Sequence, residues 1–271
     1  MPELPDVQVY KQYIDATSLH QEIEAVEVRS QQMLEGVDAH ELDDRLGGRT
    51  FKGTRRHGKY LFVELDDGEW LMLHFGMTGD LKYYKQPDKE PEYDQILFNF
   101  VNGYHLAYIM PRKLGEVQLL DDPRDLIEAK ELGPDVLADD FDFERFREIL
   151  SGRRGMIKSG LMDQQIMAGI GNVYSDEILF QAGIHPRTPV NELDSDSLRR
   201  VFGCLKTVLH VAIEHQADPE QFPDGYLTPY RHTDHPCPKC GGSIKRIKVS
   251  GRAGYFCPAC QERPGGDSDG G

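Results

Sequence analysis

Four of the five cysteines constrain this chain more than any other feature. They stand as Cys237-x2-Cys240 and, 16 residues on, Cys257-x2-Cys260. Two such pairs point four thiolates at one ion, a tetrahedral zinc set with no open position, so the metal is structural and not catalytic. A redox dithiol is the alternative, and both pairs together at ribbon spacing favour zinc. Between the pairs, Ile244 to Val249 alternates, and Tyr255-Phe256 returns after Ser250-Gly251, which predicts a β-hairpin. Cys204, between Val201 and Val208, is expected in a helical core.

Charge gives a conflicting signal. The chain carries 31 Lys and Arg against 46 Asp and Glu, a net −15. Bulk charge of that sign argues against a nucleic-acid partner. Residues 237–260, however, hold Lys239, Lys245, Arg246, Lys248 and Arg252 and no acid, so this segment is +5 on a remainder of −20. A basic hairpin on an acidic protein is a localised phosphate-binding surface. Smaller basic clusters stand at Arg55 to Lys59 and at Arg153-Arg154 with Lys158. The acidic runs Asp38 to Asp44, Asp121 to Glu131 and Asp139 to Glu144 read as solvated faces, and such a surface also suits a high-salt cytoplasm. No apolar run approaches the roughly 20 residues of a membrane helix. The N-terminus lacks the basic and apolar regions of a secretory signal, so the cytoplasm is expected.

Short apolar runs fill the first part of the chain. Residues 50–65 and 70–75 flank Asp66-Asp67-Gly68, a hairpin signature, and runs at 95–101, 105–110 and 116–120 are broken by Asn102-Gly103 and Pro111. They predict an antiparallel β-sandwich, with one helix before it that has Pro5 in its first turn and Val7, Tyr10, Tyr13 and Ile14 at helical spacing. After Gly133-Pro134 the periodicity becomes helical at 142–150, 173–181 and 196–214, with Asp194 or Asp196 as a cap. The chain therefore reads as an α+β multidomain protein: residues 1–133, 134–230, a zinc hairpin at 231–263, and a tail at 264–271 that cannot bury anything.

Pro2-Glu3 offers chemistry. Once Met1 is trimmed, Pro2 carries a secondary amine. With an α-amino pKa of about 7.7–8, roughly a tenth of it is neutral at pH 7. Attack on an aldehyde-level carbon gives an iminium, an electron sink that permits elimination, and Glu3 beside it can move protons.

Four ordered segments carry a resemblance: Met1 to Asp6; His57 to Leu61 with Leu73 to Gly79; Leu161 to Gln164 through Gly169 to Tyr174 and Glu177 to Pro186; and the ribbon ending Cys257 to Gln261. On them the chain resembles the formamidopyrimidine-DNA glycosylase and endonuclease VIII family, nearer the formamidopyrimidine branch. The resemblance implies a catalytic β-sandwich domain, a helix–two-turns–helix domain and a zinc finger that together form a DNA cleft. It makes Pro2 the nucleophile at the sugar C1′, Glu3 the acid that protonates the ring oxygen, and Lys59 a catalytic phosphate contact. Asn172, after the Gly169-Ile-Gly171 turn, and Arg252 would hold phosphates, with Lys158 in a matching position. Glu177 would support the turn. Met77, Arg112 and Leu114 would fill the space left by a flipped nucleotide.

Three departures stand out. Asp6 replaces a glutamate, Leu114 replaces an aromatic wedge, and the stretch Gln216 to His235 is short where the family covers a flipped 8-oxoguanine. The leading expectation is a bifunctional glycosylase and AP lyase acting on oxidised bases in duplex DNA. It would work as a monomer in a prokaryotic cytoplasm, at the nucleoid, with one structural zinc and no membrane or small-molecule cofactor. The alternatives are an oxidised-pyrimidine preference, a non-catalytic zinc-dependent DNA-binding protein, and a zinc-ribbon interaction module on an unrelated scaffold.

Overall fold

The computed structural model describes residues 1–261 in two units, residues 1–131 and the residues from Leu132 on. The tail at 264–271, expected to be disordered, lies outside the described residues.

The first unit runs α1 (Leu4–Thr17), β1 (Ile23–Val28), β2 (Leu34–Glu35), α2 (Ala39–Leu46), β3 (Phe51–His57), β4 (Tyr60–Leu65), β5 (Trp70–His74), β6 (Asp80–Tyr84), β7 (Asp94–Phe100), β8 (His105–Ile109), β9 (Glu116–Leu120) and α3 (Pro123–Ala129). One sheet has the order β1-β7-β8-β6 and the other β2-β9-β5-β4-β3. Pairing is antiparallel throughout these two sheets, apart from the short parallel contact of β2 with β9.

Alternation decides which side chains meet. Leu61, Val63 and Leu65 of β4 join Leu71 and Leu73 of β5 in the main core. Phe62 points the other way, to Trp70, Met72 and Leu126 of α3. From the other sheet, Ile96, Phe98 and Phe100 of β7 enter the same main core, while Leu97 packs on the opposite face with Tyr84 and Ala107. A slip of one residue would exchange the two sets, so the core fixes the register. The two sheets thus share one core, with Val7 and Ile14 of α1 contributing to it, and the sandwich with its flanking helix is present.

The run 50–65 is not one limb of a hairpin. It is β3 and β4, reversed at Gly58, whose φ of +56° suits glycine. Helices α2 and α3 fall in acidic runs read as solvated faces. Asp38 and Asp122 cap them, and only Leu42 and Leu46, or Pro123 and Leu126, turn inward.

The second unit holds α4 (Phe143–Leu150), α5 (Ile157–Met162), α6 (Asn172–Ala182), α7 (Ser195–Glu214), β10 (Lys245–Val249) and β11 (Arg252–Phe256). Asp142 and Asp194 cap α4 and α7, and Gly183 ends α6 at φ +69°. Strands β10 and β11 pair from Lys245↔Phe256 to Val249↔Arg252. Ser250 and Gly251 both adopt positive φ at the two-residue turn. Ile247, Val249 and Phe256 pack together, which leaves Lys245, Arg246, Lys248 and Arg252 on the solvent side. Among the described residues no helix is long and apolar enough to cross a membrane.

Candidate functional site

Pro2 precedes α1, and Glu3 is its N-cap. The Glu3 carboxylate accepts the backbone N–H of Asp6, and Asp6 Oδ2 accepts the Glu3 N–H at 2.9 Å. This reciprocal capping box fixes the backbone directly after Pro2. Glu3 is buried. Burial raises the Asp6 carboxyl to about 6, against the lowering effect of the Glu3 N–H.

Side chains tie α1 to the strands around it. Arg56 Nε of β3 donates to Gln8 Oε1 at 2.9 Å. The Tyr10 hydroxyl donates to the Gly79 carbonyl at 2.9 Å, and its ring lies 4.4 Å from that of Phe75. One contact ends beside the β3–β4 turn, which carries Lys59. The other ends on the Phe75–Gly79 turn, which carries Met77. Lys59 is only 8% exposed, so it is not a solvated surface lysine. Beside it, Tyr60 stacks on His74 with ring centroids 4.8 Å apart. Burial lowers His74 to about 4, and the charges of Lys59 and Lys130 add to the effect. A neutral imidazole therefore sits near Lys59. Sequence reasoning does not single it out, although His74 lies three residues before Met77.

The two loop tips meet. Gly76 has φ +51°, and a Cβ there would lie 2.3 Å from the Leu114 carbonyl oxygen. Only glycine permits that approach, which brings the turn of Met77 against the loop of Arg112 and Leu114. Met77 is 42% and Leu114 51% exposed, and Arg112 is exposed too. Two exposed apolar side chains on touching loops form a wedge-like tip.

The second unit holds a buried polar network. Lys158 is fully buried, and its ammonium donates to Asp176 Oδ1 at 2.6 Å, Ser175 Oγ at 2.8 Å and the Asn172 carbonyl at 3.1 Å. Asp176 Oδ2 accepts Arg231 Nη2 at 2.8 Å and the Tyr255 N–H at 3.1 Å. Asn172 Nδ2 donates to the Ala253 carbonyl at 2.8 Å. At Gly254 a Cβ would stand 3.1 Å from Asp176 Oδ1 and 3.2 Å from Lys158 Cε, so a side chain there would crowd the pair. Lys158, expected at a phosphate, lies with its ammonium unexposed and engaged by a buried carboxylate that also holds the zinc hairpin, which ties the hairpin to the start of α6. Asn172 lies at that helix start and Arg252 is exposed on the hairpin. Glu177 supports a different segment from the one expected. Its carboxylate accepts the N–H groups of Leu227 and Thr228 and the Thr228 hydroxyl.

Without the Lys158 ammonium, Asp176 keeps only Arg231 as a counter-ion, and the Ser175 hydroxyl and Asn172 carbonyl lose a buried donor. Lys158→Met is expected to cost about 3 kcal/mol and to lower Tm by roughly 10 °C, read by thermal denaturation. An unchanged Tm, with a salt slope of DNA binding reduced by about one, would restore the phosphate role.

The four cysteines come together. Their sulfurs lie within 4.8 Å of one another, with Cys237–Cys260 at 3.8 Å and Cys240–Cys257 at 3.5 Å. Zinc–sulfur bonds of about 2.3 Å in a tetrahedron require sulfur separations near 3.8 Å, so the set fits one zinc. The N–H groups of Lys239 and Gly242 donate to Cys237 Sγ and Cys240 Sγ, each at 3.4 Å, as knuckles that hold thiolates do.

Three family models match in order. They are the formamidopyrimidine-DNA glycosylase N-terminal domain over residues 1–117, the H2TH domain of the same enzyme over 132–223, and a zinc finger found in FPG and IleRS over 234–263. The formamidopyrimidine-DNA glycosylases of Herpetosiphon aurantiacus and Heliobacterium modesticaldum are each 34% identical, over 96% and 97% of this chain and 100% of theirs. Among solved structures, a Lactococcus lactis FPG mutant in complex with Fapy-dG-containing DNA superposes with a TM-score of 0.88 at 30% identity, covering 97% of this chain and 100% of that one. A complex of the Lactococcus lactis enzyme with DNA containing an AP site gives 0.86 at 30% identity, over 96% and 100%.

Proposed function

The chain belongs to the formamidopyrimidine-DNA glycosylase family, and we propose that it excises ring-opened and oxidised purines from duplex DNA and then cuts the strand. In this reading residues 1–133 are the catalytic domain, 134–230 the helix–two-turns–helix domain and 231–263 the finger. The enzyme works as a monomer, because one chain supplies every residue of the chemistry. It acts at the nucleoid of a prokaryotic cytoplasm and uses no small-molecule cofactor.

The observation that carries the reading is the N-terminal assembly. The capping box sets Glu3 directly after Pro2, on a helix bonded to Arg56 of β3 and to the Met77 turn. The Pro2 amine attacks C1′, and the bond to the damaged base breaks with its electron pair on the base. The attached nitrogen sheds its N–H proton to the departing base anion, and Glu3 gives a proton to the ring oxygen as the C1′–O4′ bond opens, leaving an iminium. The iminium acidifies the C2′–H bond. Loss of that proton expels the 3′-phosphate and cuts the strand. Lys59 balances phosphate charge beside the reacting sugar. Met77 and Leu114 occupy the space of the flipped nucleotide, with Arg112 facing the orphaned base. Asn172 and Arg252 hold flanking phosphates. Lys158 acts through them, by fixing the hairpin against α6.

Borohydride trapping on duplexes with a formamidopyrimidine, 8-oxoguanine, an oxidised pyrimidine or an abasic site tests this, at low and high salt. Adducts are expected with the purine lesions and the abasic site. Stronger trapping on the oxidised pyrimidine would reverse the assigned preference. No adduct on any duplex would leave a DNA-binding protein without the chemistry.

A further inference from the structure

Resting on that reading, we infer that Arg153 and Arg154 extend the DNA-binding surface of the zinc hairpin, holding phosphates of the duplex arm beyond the damaged nucleotide. The pair has no part in the chemistry proposed above. Residues 151–156 are all exposed, and among the described residues neither arginine pairs with a carboxylate. Arg153 Nε donates instead to the Ile149 carbonyl at 2.8 Å. Just upstream, Arg145 and Arg147 of α4 each pair with an acid.

Three stretches of the second unit, 149–162, 178–191 and 235–261, contain no aspartate or glutamate, in a chain where 46 of 271 residues are acidic. The fold sets them side by side. The Ile157 N–H donates to the Thr188 carbonyl at 2.8 Å and the Val190 N–H to the Gly155 carbonyl at 2.9 Å, which joins the first stretch to the second. Arg187 Nη2 donates to the Lys248 carbonyl at 3.1 Å, which joins the second to the hairpin. The Ser159 and Ser250 hydroxyls share a hydrogen bond at 2.6 Å, which joins the first to the hairpin turn. Arg154 precedes Ser159 by five residues, so their backbones lie within about 18 Å of each other. That is roughly five base-pair steps of 3.4 Å. The stripe of Lys248 and Arg252 therefore continues to the arginine pair through stretches that carry no acid.

Charge selects duplex phosphate as the ligand. A chain of net −15 repels DNA wherever its acids face it, so contacts concentrate where acids are absent. In the hairpin, Asp234 takes up Lys245, which leaves Arg246, Lys248 and Arg252 exposed without a carboxylate. Arg153 and Arg154 raise that set of cations by two. Each phosphate contact adds about 0.9 to the slope of log K against log salt, so the pair supplies about 1.8. Contacts of this kind position the duplex and read neither sequence nor lesion.

The double variant Arg153→Ser/Arg154→Ser of the full, zinc-loaded chain tests this. Binding is measured from about 50 to 200 mM salt on a duplex with a tetrahydrofuran abasic analogue and on an undamaged duplex. Affinity at the lowest salt is expected to fall by at least about 20-fold, and by the same factor on both duplexes. The salt slope should drop by about 1.8, so over this range wild type loses about 12-fold more affinity than the variant. Arg145→Ser/Arg147→Ser removes the same charge from paired arginines of the same unit, and it should keep the wild-type slope. Arg153→Lys/Arg154→Lys gives up the guanidinium bond to Ile149 but keeps the charge, and it should bind within about threefold of wild type. A slope equal to that of the Arg145/Arg147 variant, a loss confined to the abasic duplex, or a Lys variant as weak as the Ser variant would overturn the inference. Wild type that binds neither duplex would overturn the underlying function instead.

Discussion

Replacing Pro2 with alanine is expected to reduce the borohydride-trapped adduct on an abasic duplex by at least about 100-fold at pH 7, while Tm and duplex binding stay close to wild type. Alanine keeps an α-amino group of nearly the same basicity, so the loss does not come from protonation. It comes from the kind of cation formed. A secondary amine gives an iminium that is charged at any pH, a permanent electron sink beside C2′. A primary amine gives an imine that must first be protonated to do the same work. Alanine also frees φ at a position that proline holds fixed, so the nitrogen is aimed less well. Binding survives because Pro2 precedes α1, and the cap made by Glu3 and Asp6 does not use its ring. A second variant sharpens the test. With two residues added ahead of Pro2, its nitrogen becomes an amide without basic character, and the adduct should vanish. Trapping that survives this extension would move the nucleophile to another amine and remove the basis of the proposed mechanism.

How much of the molecule is legible in its sequence follows from the range of the forces involved. The cysteine spacing is local, and the four sulfurs meet as the spacing demands. Strand alternation is local as well, so spacing alone assigns Leu61, Val63 and Leu65 to one face. The glycines at 76 and 115 mark loops, but they do not reveal that the two loops touch. That contact depends on the Leu114 carbonyl lying where a Cβ of residue 76 would be. Lys158 reads as a phosphate ligand because its sequence neighbours Arg153 and Arg154 make a basic cluster, whereas its partner Asp176 arrives from the next helix. Arg231 and Gly254 complete that network from segments with no periodic signal. Helix α2 is hidden in an acidic run because its cap, more than its two buried leucines, defines it. His74 carries no local signal, because only the fold buries it against Tyr60 near Lys59.

Stripping the metal with a chelator, or replacing Cys257 with serine, is expected to weaken binding to abasic duplex by at least about 100-fold, with one zinc per chain lost in step. Structural zinc contributes on the order of 10–16 kcal/mol to folding its module. The ribbon has little else. Ile247, Val249 and Phe256 form one small cluster, and Cys237, Ile244 and Cys257 share a second with Phe180 and Leu227. Two of the three residues the ribbon gives to the second cluster are the ligands themselves. Burial pushes the Cys257 and Cys260 thiols above the ordinary range, so without a dication the four sulfurs do not all ionise, and acid should release the metal. Unpairing β10 from β11 scatters Lys245, Arg246, Lys248 and Arg252, the basic stripe of a chain whose remainder is −20. It also removes the Ala253 carbonyl from Asn172 and the Tyr255 N–H from Asp176. Binding should therefore fail through geometry and charge together, and it should be regained when zinc is added back to the chelated wild type. The first unit keeps its own core and should keep its own thermal transition. Hydrogen exchange provides the readout: amides of 245–256 should lose protection while those of β4 and β5 do not. Chelated protein that binds as before with its hairpin protected would show that packing on Phe180 alone holds the ribbon.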